Sequence, residues 1–278
     1  MPILQRIVQI GRRIVPRGWS PIIRCISYVY PRARMYPAAL KSGDTFFVDL
    51  SENMCHRYFY DGELSNEEYS VAFFEKVLEP GDVFLDIGAN IGYFTKVGAR
   101  LVGEQGAVCA FEPMPEALRV LKENIKTLKN VKLYETALSD KRGASDFSVN
   151  KNGDTSSLGV NPGAKRTIQV PLDTLDNSLK AENRIDVIKI DVEGYELEVL
   201  RGAAAILARH KPLLYFEYIP DYTKERLINI DDFRTLLEPY DYSLHWINPK
   251  YPNGSLTTEA QSWYIIGIPV ESRWSGLV

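Results

Sequence analysis

The sequence predicts an α/β fold with an open, mostly parallel sheet, and three segments support this interpretation. Residues 83–85, 107–111 and 185–190 are short runs rich in apolar residues, and an acidic residue follows each one. Runs of this length are typical of buried parallel strands, and a helical apolar pattern follows each of them. Ligands of open α/β sheets bind beyond the carboxyl ends of the strands, so the acidic residues mark the expected site.

A tight turn with two glycines follows the first strand. The sequence DIGANIGYF begins at residue 86 and ends where the helical pattern starts. Glycine suits a backbone that turns sharply or that a ligand approaches closely. A dinucleotide-binding turn would read G-x-G-x-x-G, so the missing third glycine weakens that alternative. The candidate cofactor contacts in this segment are Asp86, Gly88, Asn90, Gly92, Tyr93 and Phe94.

Glu112 ends the second predicted strand. An acid about 20 residues after such a turn accepts hydrogen bonds from ribose hydroxyls. The D-x-G-x-N-x-G form of the turn resembles motif I of the S-adenosylmethionine-dependent methyltransferases. The adenosine of S-adenosylmethionine and that of nicotinamide dinucleotides both carry such a ribose, so Glu112 supports either cofactor.

Two later strands also end in carboxylates. The strand at 185–190 leads to Asp191 and Glu193, and the strand at 212–217 ends at Glu217. Since neighbouring parallel strands share one carboxyl edge, these acids are expected to lie near the cofactor.

Several segments together resemble the FkbM family of methyltransferases, over residues 58–268. The most specific of them is IDVIKIDVEGYELEVLRGA. The segments that carry the resemblance are LDIGANIGYFT (85–95), FEPMPEALRVLKENI (111–125), ALSDKRG (137–143), VPLDTLD (170–176), IDVIKIDVEGYELEVLRGA (185–203) and PLLYFE (212–217).

The resemblance implies a Rossmann-like class I methyltransferase sheet of seven strands, the last antiparallel, with an N-terminal helical extension. It implies S-adenosylmethionine as the cofactor and transfer of a methyl group to a hydroxyl of a saccharide, glycolipid or related natural product. It also places Leu138 and Ser139 beside the adenine. The sixth and seventh strands are expected at 242–247 and 262–268, as antiparallel partners.

Methyl transfer to an alcohol needs help in removing the acceptor's proton. Asp191, Glu217 and Glu193 are the candidate catalytic residues. A direct carboxylate role is favoured over a divalent cation such as Mg²⁺ held by the same three acids, because no fourth ligand is evident. Glu193 could instead cap the following helix. If these acids do not act, the base is sought among His56, Tyr60 and His245.

Other elements are predicted in less detail. One helix is expected over 196–207, and a long loop over 143–164 with a single short strand at 145–149. Residues 56–60 hold an aromatic cluster that is a candidate for the substrate mouth.

Charge and cysteine content exclude some functions. The 278 residues carry a net charge of −3, but residues 1–43 hold eight basic residues and no acid, so the remainder carries −11. An acidic body is a poor partner for nucleic acid. The three cysteines, Cys25, Cys55 and Cys109, form no C-x-x-C pair, which argues against a disulfide framework or zinc site and suits the cytoplasm.

The N-terminal segment has a basic amphipathic pattern. Apolar residues recur at helical spacing over 3–15, with arginines between them. Residues 1–20 are expected either to bind the inner face of a membrane or to dock on the catalytic domain or on a second subunit of a homo-oligomer. The predicted units are an arm (1–43), a cap segment (44–80), a methyltransferase domain (81–270) and a tail (271–278).

Two other functions remain open at this stage. A nicotinamide-dependent oxidoreductase would share the strand, turn and ribose-binding acid. A catalytically silent methyltransferase-fold protein would keep the fold as a binding module. Intact Asp86, Gly88, Gly92 and Glu112 argue against loss of the cofactor.

Overall fold

We describe the protein from a computed structural model, which covers residues 3–14, 18–52, 55–62, 68–150, 156–159, 164–248, 250–251, 253–260 and 262–277. The strands are β1 Tyr36–Ala39, β2 Thr45–Val48, β3 Val83–Ile87, β4 Ala107–Phe111, β5 Val131–Tyr134, β6 Ala137–Leu138, β7 Gly143–Val149, β8 Ser157–Leu158, β9 Arg166–Asp173, β10 Val187–Ile190, β11 Leu213–Glu217, β12 Tyr242–Ile247, β13 Leu256–Thr257 and β14 Tyr264–Pro269. The α-helices are α1 Ile3–Ile14, α2 Trp19–Val29, α3 Cys55–Asp61, α4 Glu68–Val77, α5 Tyr93–Val102, α6 Pro115–Ile125, α7 Leu175–Ser178, α8 Glu196–Arg201, α9 Ala204–His210, α10 Pro220–Thr223 and α11 Ile230–Leu237.

The main sheet has eight strands in the order β13-β12-β14-β11-β10-β3-β4-β5. The strands from β11 to β5 are parallel, and β14 runs antiparallel to β11 and to β12. The predicted sheet with an antiparallel seventh strand is therefore confirmed. The short β13 is an additional strand, which pairs with β12.

The parallel strands are buried because helices cover both faces of the sheet. Every residue of β10 and β11 is buried. One hydrophobic cluster joins the sheet to α8, α9 and α11, and a second joins it to α4, α5 and Trp274. This burial explains why the strands read as continuous apolar runs instead of an alternating pattern. No helix among the described residues is long and apolar enough to cross a membrane.

The helix predicted over 196–207 is wrong as a single element, because the chain breaks it between α8 and α9. A Cβ atom on Gly202 would lie 2.1 Å from the carbonyl oxygen of Ser139. This close approach requires glycine, and it ends α8 at Arg201.

The short strand predicted at 145–149 is confirmed as part of β7, whereas the loop predicted over the rest of 143–164 did not include β8. A second sheet, in the order β6-β9-β7-β8, occupies much of this region. β7 pairs with β9 along seven residues, and the apolar side chains of the sheet pack on Met114 and Ala117 of the α6 region. Glycine, proline and asparagine are frequent on both sides of β8, so the sequence did not indicate that strand. Residues 151–155 and 160–163 lie outside the described part of the chain.

A buried asparagine helps to join the N-terminal hairpin to the main domain. The side chain of Asn124 on α6 accepts a hydrogen bond from the Phe47 N–H (2.7 Å) and donates to the carbonyls of Phe47 (2.9 Å) and Ile91 (2.8 Å). The buried amide therefore joins β2 to the turn after β3. The boundary predicted at residue 43 falls between the paired strands β1 and β2.

We predict that Asn124→Ala destabilises the protein by about 2–3 kcal/mol, because buried backbone groups of Phe47 and Ile91 lose their partner. Urea unfolding measures this change. Lys122→Ala, on the same helix, removes only an exposed ion pair with Glu135 and should change the stability by less than about 1 kcal/mol. Equal losses in the two variants would contradict this role of Asn124.

Candidate functional site

A cavity lies at the carboxyl edge of the sheet. The turn after β3, Glu112 after β4, and the segments after β10 and β11 all line it. Along this edge the acids after β10 and β11 lie on one side of the glycine turn, and Glu112 and Leu138 lie on the other. This is the point at which the strand order reverses, where open α/β sheets bind ligands.

The two glycines of the turn are required by the protein's own packing. Gly88 has φ +78°, and a Cβ atom there would lie 1.8 Å from the carbonyl oxygen of Asp191. Gly92 has φ +90°, and a Cβ atom there would lie 2.5 Å from Leu121 of α6. Gly88 and Asn90 line the cavity, whereas Gly92 is not among the lining residues. The close approach of the Asp191 carbonyl therefore requires glycine at residue 88.

Glu112 lies at the expected place and is held firmly. Its Oε2 accepts a hydrogen bond from the Asn90 N–H and its Oε1 accepts one from the Met114 N–H, both at 2.8 Å. Burial raises the pKa of Glu112 to about 7, although the two N–H donors act in the opposite direction. A carboxylate can accept about four hydrogen bonds, so the group retains acceptor capacity.

Asp86 lies beneath the cavity and is not among the residues that line it. Its carboxylate is fully buried, accepts a hydrogen bond from the Thr95 hydroxyl (2.6 Å) and lies 3.4 Å from Lys189 Nζ. The expected contact with the cofactor remains a prediction. The geometry shows that Asp86 positions Lys189.

Lys189 is the functional candidate that sequence reasoning missed. Its side chain is only 2% exposed, and its Nζ lies 3.4 Å from Asp86, 3.3 Å from Asp191 and 5.2 Å from the centroid of the Phe94 ring. Lys189 and Asp86 face each other in the register of β10 and β3. A lysine inside the otherwise apolar strand VIKI was the available signal, because a buried ammonium group needs a partner.

Three carboxylates meet at the ends of β10 and β11. One oxygen from each of Asp191, Glu193 and Glu217 lies within 4.8 Å of the others. Glu217 is buried and lines the cavity. Burial, together with the charges of Asp191 and Glu193, raises its pKa well above the usual range. Lys189 makes its ion pair with Asp191, so the two acids lie in different electrostatic environments.

Glu196 fixes the loop that carries two of these acids. It is buried, and its Oε1 accepts hydrogen bonds from the N–H groups of Val192 (3.0 Å) and Gly194 (3.2 Å). Glu193 itself adopts φ +57°, an uncommon conformation for a residue other than glycine, and lines the cavity.

Aromatic rings form another part of the cavity wall. Tyr58, Tyr93, Phe94 and Tyr264 line it, and the rings of Tyr58 and Tyr93 lie 5.1 Å apart. Tyr58 is therefore the member of the 56–60 cluster that reaches the cavity.

The histidines proposed as substitute bases lie elsewhere. His56 is buried with its Nε2 at 2.8 Å from the Leu50 carbonyl, and His245 lies on β12, where its ring contacts Ser243. Neither histidine lines the cavity, and neither does Tyr60.

Apolar side chains enclose the end of the cavity beyond Glu112. Leu138 lines it as expected, together with Phe147 and Leu158 from the second sheet. Ser139 is buried, its N–H donates to the Asp173 carbonyl, and it is not among the lining residues. An apolar end, a carboxylate with spare acceptor capacity and an acidic end fit the adenine, the ribose and the positively charged sulfonium of S-adenosylmethionine.

A sequence model of the Methyltransferase FkbM domain matches residues 86–244. The chain is 30% identical over 162 residues to the 2-O-methyltransferase NoeI of Sinorhizobium fredii, covering 50% of this chain and 64% of that protein. It is 28% identical over 146 residues to the hexuronic acid methyltransferase AglP of Haloferax volcanii, covering 50% of this chain and 57% of that protein. The chain thus spans less than two thirds of either relative.

Among solved structures, a methyltransferase FkbM from Methylobacillus flagellatus KT superposes with a TM-score of 0.47 at 16% identity, covering 71% of this chain and 50% of that chain. The sequence match to the FkbM domain extends over more than half of the residues, from the first strand of the sheet to β12. The chain therefore belongs to the FkbM methyltransferase family.

Proposed function

We propose that this protein transfers a methyl group from S-adenosylmethionine to a hydroxyl group of a saccharide or a saccharide-containing lipid. The observation that carries this proposal is the cluster of Asp191, Glu193 and Glu217 beside Lys189, in the same cavity as the ribose-type acid Glu112. The two relatives are a 2-O-methyltransferase and a hexuronic acid methyltransferase, which supports this acceptor class.

The donor would be held by residues on both sides of the glycine turn. Glu112 would accept hydrogen bonds from the ribose hydroxyls, and Leu138, Phe147 and Leu158 would enclose the adenine. S-adenosylmethionine supplies an electrophilic methyl group on a positive sulfur. The acidic end of the cavity favours that charge, which is a reason to expect the sulfonium near Asp191.

The two strand-end acids would then have different roles toward the acceptor. Asp191 lines the cavity beside Lys189, which places its carboxylate to take the hydroxyl proton. Glu217, whose pKa is raised by burial and by neighbouring carboxylates, favours the protonated form and could donate a hydrogen bond to a second acceptor oxygen. A divalent cation on the three carboxylates is the alternative.

The cavity wall suits a saccharide in a further respect. A sugar ring presents C–H groups on its faces and hydroxyls around its rim. The rings of Tyr58, Tyr93 and Tyr264 offer flat apolar surfaces, while the carboxylates accept hydrogen bonds from hydroxyls. This combination of aromatic surface and acceptor groups supports a saccharide over a purely apolar acceptor.

We predict that wild-type protein binds S-adenosylhomocysteine and not NAD in a calorimetric titration, and that Glu112→Ala weakens the binding at least tenfold. The loss reflects missing hydrogen bonds to a charged group, and tenfold corresponds to about 1.4 kcal/mol. Glu116→Ala is the matched control, since Glu116 pairs on the surface with Arg166. Preferential binding of NAD, or unchanged affinity in a folded Glu112→Ala variant, would contradict the assignment.

We predict that Asp191→Asn lowers kcat by roughly 10² to 10⁴, the usual contribution of a general base. Asparagine keeps the shape and removes the charge, so binding of S-adenosylhomocysteine should stay within about threefold. Glu217→Gln should show a similar or smaller loss. Asp221→Asn, at an exposed carboxylate outside the cavity, serves as the control.

A chelator decides between the two roles of the carboxylates. If it abolishes wild-type activity and Mg²⁺ or Mn²⁺ restores it, the acids are metal ligands and the direct-base role is wrong. Full activity of Asp191→Asn without metal would reject both roles.

We predict that Glu217→Gln is more stable than the wild type at pH 8, and that the advantage shrinks toward pH 5. The folded-state pKa of Glu217 is raised above its unfolded value, so the folded state binds more protons and wild-type stability falls as the pH rises through this interval. Glutamine removes that dependence. Thermal unfolding of the two proteins in metal-free buffer at both pH values measures this difference in stability. An equal difference at pH 5 and pH 8 would show that ionising Glu217 in the folded state costs little free energy.

A further inference from the structure

Three isoleucines of α1 are exposed to solvent, although the helix is docked on the protein. Ile3, Ile7 and Ile10 are 79%, 57% and 58% exposed, and their spacing places them on one stripe of the helix. An amphipathic helix that served only to cover the domain would bury this stripe, because burial of apolar surface is the main favourable term in packing.

The docked side of α1 carries glutamines instead. Gln5 is fully buried, donates to the Ala39 carbonyl (3.1 Å) and accepts from the Ala39 N–H (2.8 Å). Gln9 donates to the Tyr60 carbonyl (2.9 Å), and Val8 packs into the core of the N-terminal hairpin. Directional hydrogen bonds thus fix the helix so that its apolar stripe faces outward.

The next helix also exposes apolar side chains. Ile22, Tyr28 and Val29 of α2 and the adjoining Tyr30 are exposed. Among the described residues, seven of the twelve exposed large hydrophobic side chains belong to residues 3–30. Such a concentration marks an interaction surface, since single exposed apolar residues are scattered on ordinary surfaces.

The charge of the segment identifies the partner. Residues 1–43 contain eight basic residues and no acid, interleaved with the apolar ones, whereas the rest of the chain is acidic. Alternation of basic and apolar residues fits a lipid interface, where isoleucines enter the acyl boundary and arginines contact anionic headgroups. We infer that α1 and α2 form a surface that binds an anionic phospholipid membrane.

This surface lies next to the cavity through α3. The Tyr60 carbonyl of α3 receives the hydrogen bond from α1, and Tyr58 of the same helix lines the cavity. Membrane binding would therefore hold the cavity near the bilayer. If the proposed function is correct, this arrangement favours a saccharide attached to a lipid over a free sugar.

Co-sedimentation with vesicles tests the surface without any cofactor or acceptor. The full chain should sediment with vesicles of phosphatidylcholine and phosphatidylglycerol, and weakly with phosphatidylcholine alone. High salt should weaken the binding, since it screens the attraction to the headgroups. The triple variant Ile3→Ser/Ile7→Ser/Ile10→Ser should bind at least tenfold more weakly. It should also keep its affinity for S-adenosylhomocysteine, which separates this test from that of the proposed function.

Leu227→Ser/Val270→Ser is the matched control, because it removes exposed apolar side chains outside the N-terminal segment. It should bind vesicles like the wild type. Absence of wild-type binding, equal binding to the uncharged vesicles, or unchanged binding of the triple variant would each overturn the inference. A different result would also overturn it: a dimer of the wild type without lipid and a monomer of the triple variant, both measured by sedimentation equilibrium. The isoleucine stripe would then be a subunit interface.

Discussion

The buried ion pairs of Lys189 hold the site together. Lys189 lies between Asp86, at the end of β3, and Asp191, just after β10, and it is almost inaccessible to water. Removing one partner from a buried pair costs several kcal/mol, because an uncompensated charge remains in the interior. The Thr95 hydroxyl fixes Asp86 from α5. The position of Asp191 therefore depends on side chains from two strands and a helix.

The packing between the ends of β3 and β10 also explains the backbone conformation of the site. The turn after β3 passes so close to β10 that only glycine fits at residue 88, opposite the Asp191 carbonyl. Close contact between these strand ends brings Lys189 within reach of both acids. Glu217 on the neighbouring strand then lies beside two other carboxylates in a poorly hydrated position. A group held in an unfavourable electrostatic environment is a common sign of function, since a purely structural role would favour an apolar residue.

Much of the fold could be predicted because buried parallel strands leave a strong apolar signal. Glu112, Asp191 and Glu217 were found because each follows such a strand at the carboxyl edge. The strand at 145–149 was predicted, but the second sheet that it forms with β6, β8 and β9 was not, because a local pattern does not report which strands pair. The break at Gly202 depends on a contact with Ser139, more than sixty positions away, and no local pattern reports it. The role of Lys189 depends on register between strands, which periodicity does not give.

The role of the N-terminal helix α1 could not be predicted from the sequence for a different reason. Its pattern of isoleucines, glutamines and arginines was compatible with docking on the domain and with binding a membrane. Gln5 and Gln9 make the docking contacts, so the isoleucines remain available for a second partner. Hydrophobicity alone could not show this, because the docked side of the helix carries two glutamines as well as Val8.

The most direct test of the central claim is transfer of an isotopically labelled methyl group. Purified protein, labelled S-adenosylmethionine and a fractionated extract of saccharides and glycolipids would be incubated together, and the products analysed by mass spectrometry. The account predicts a labelled ether methyl on a saccharide hydroxyl with the wild type, and a loss of at least a hundredfold with Asp191→Asn. Label found only on amino groups, or equal labelling by the two proteins, would contradict it.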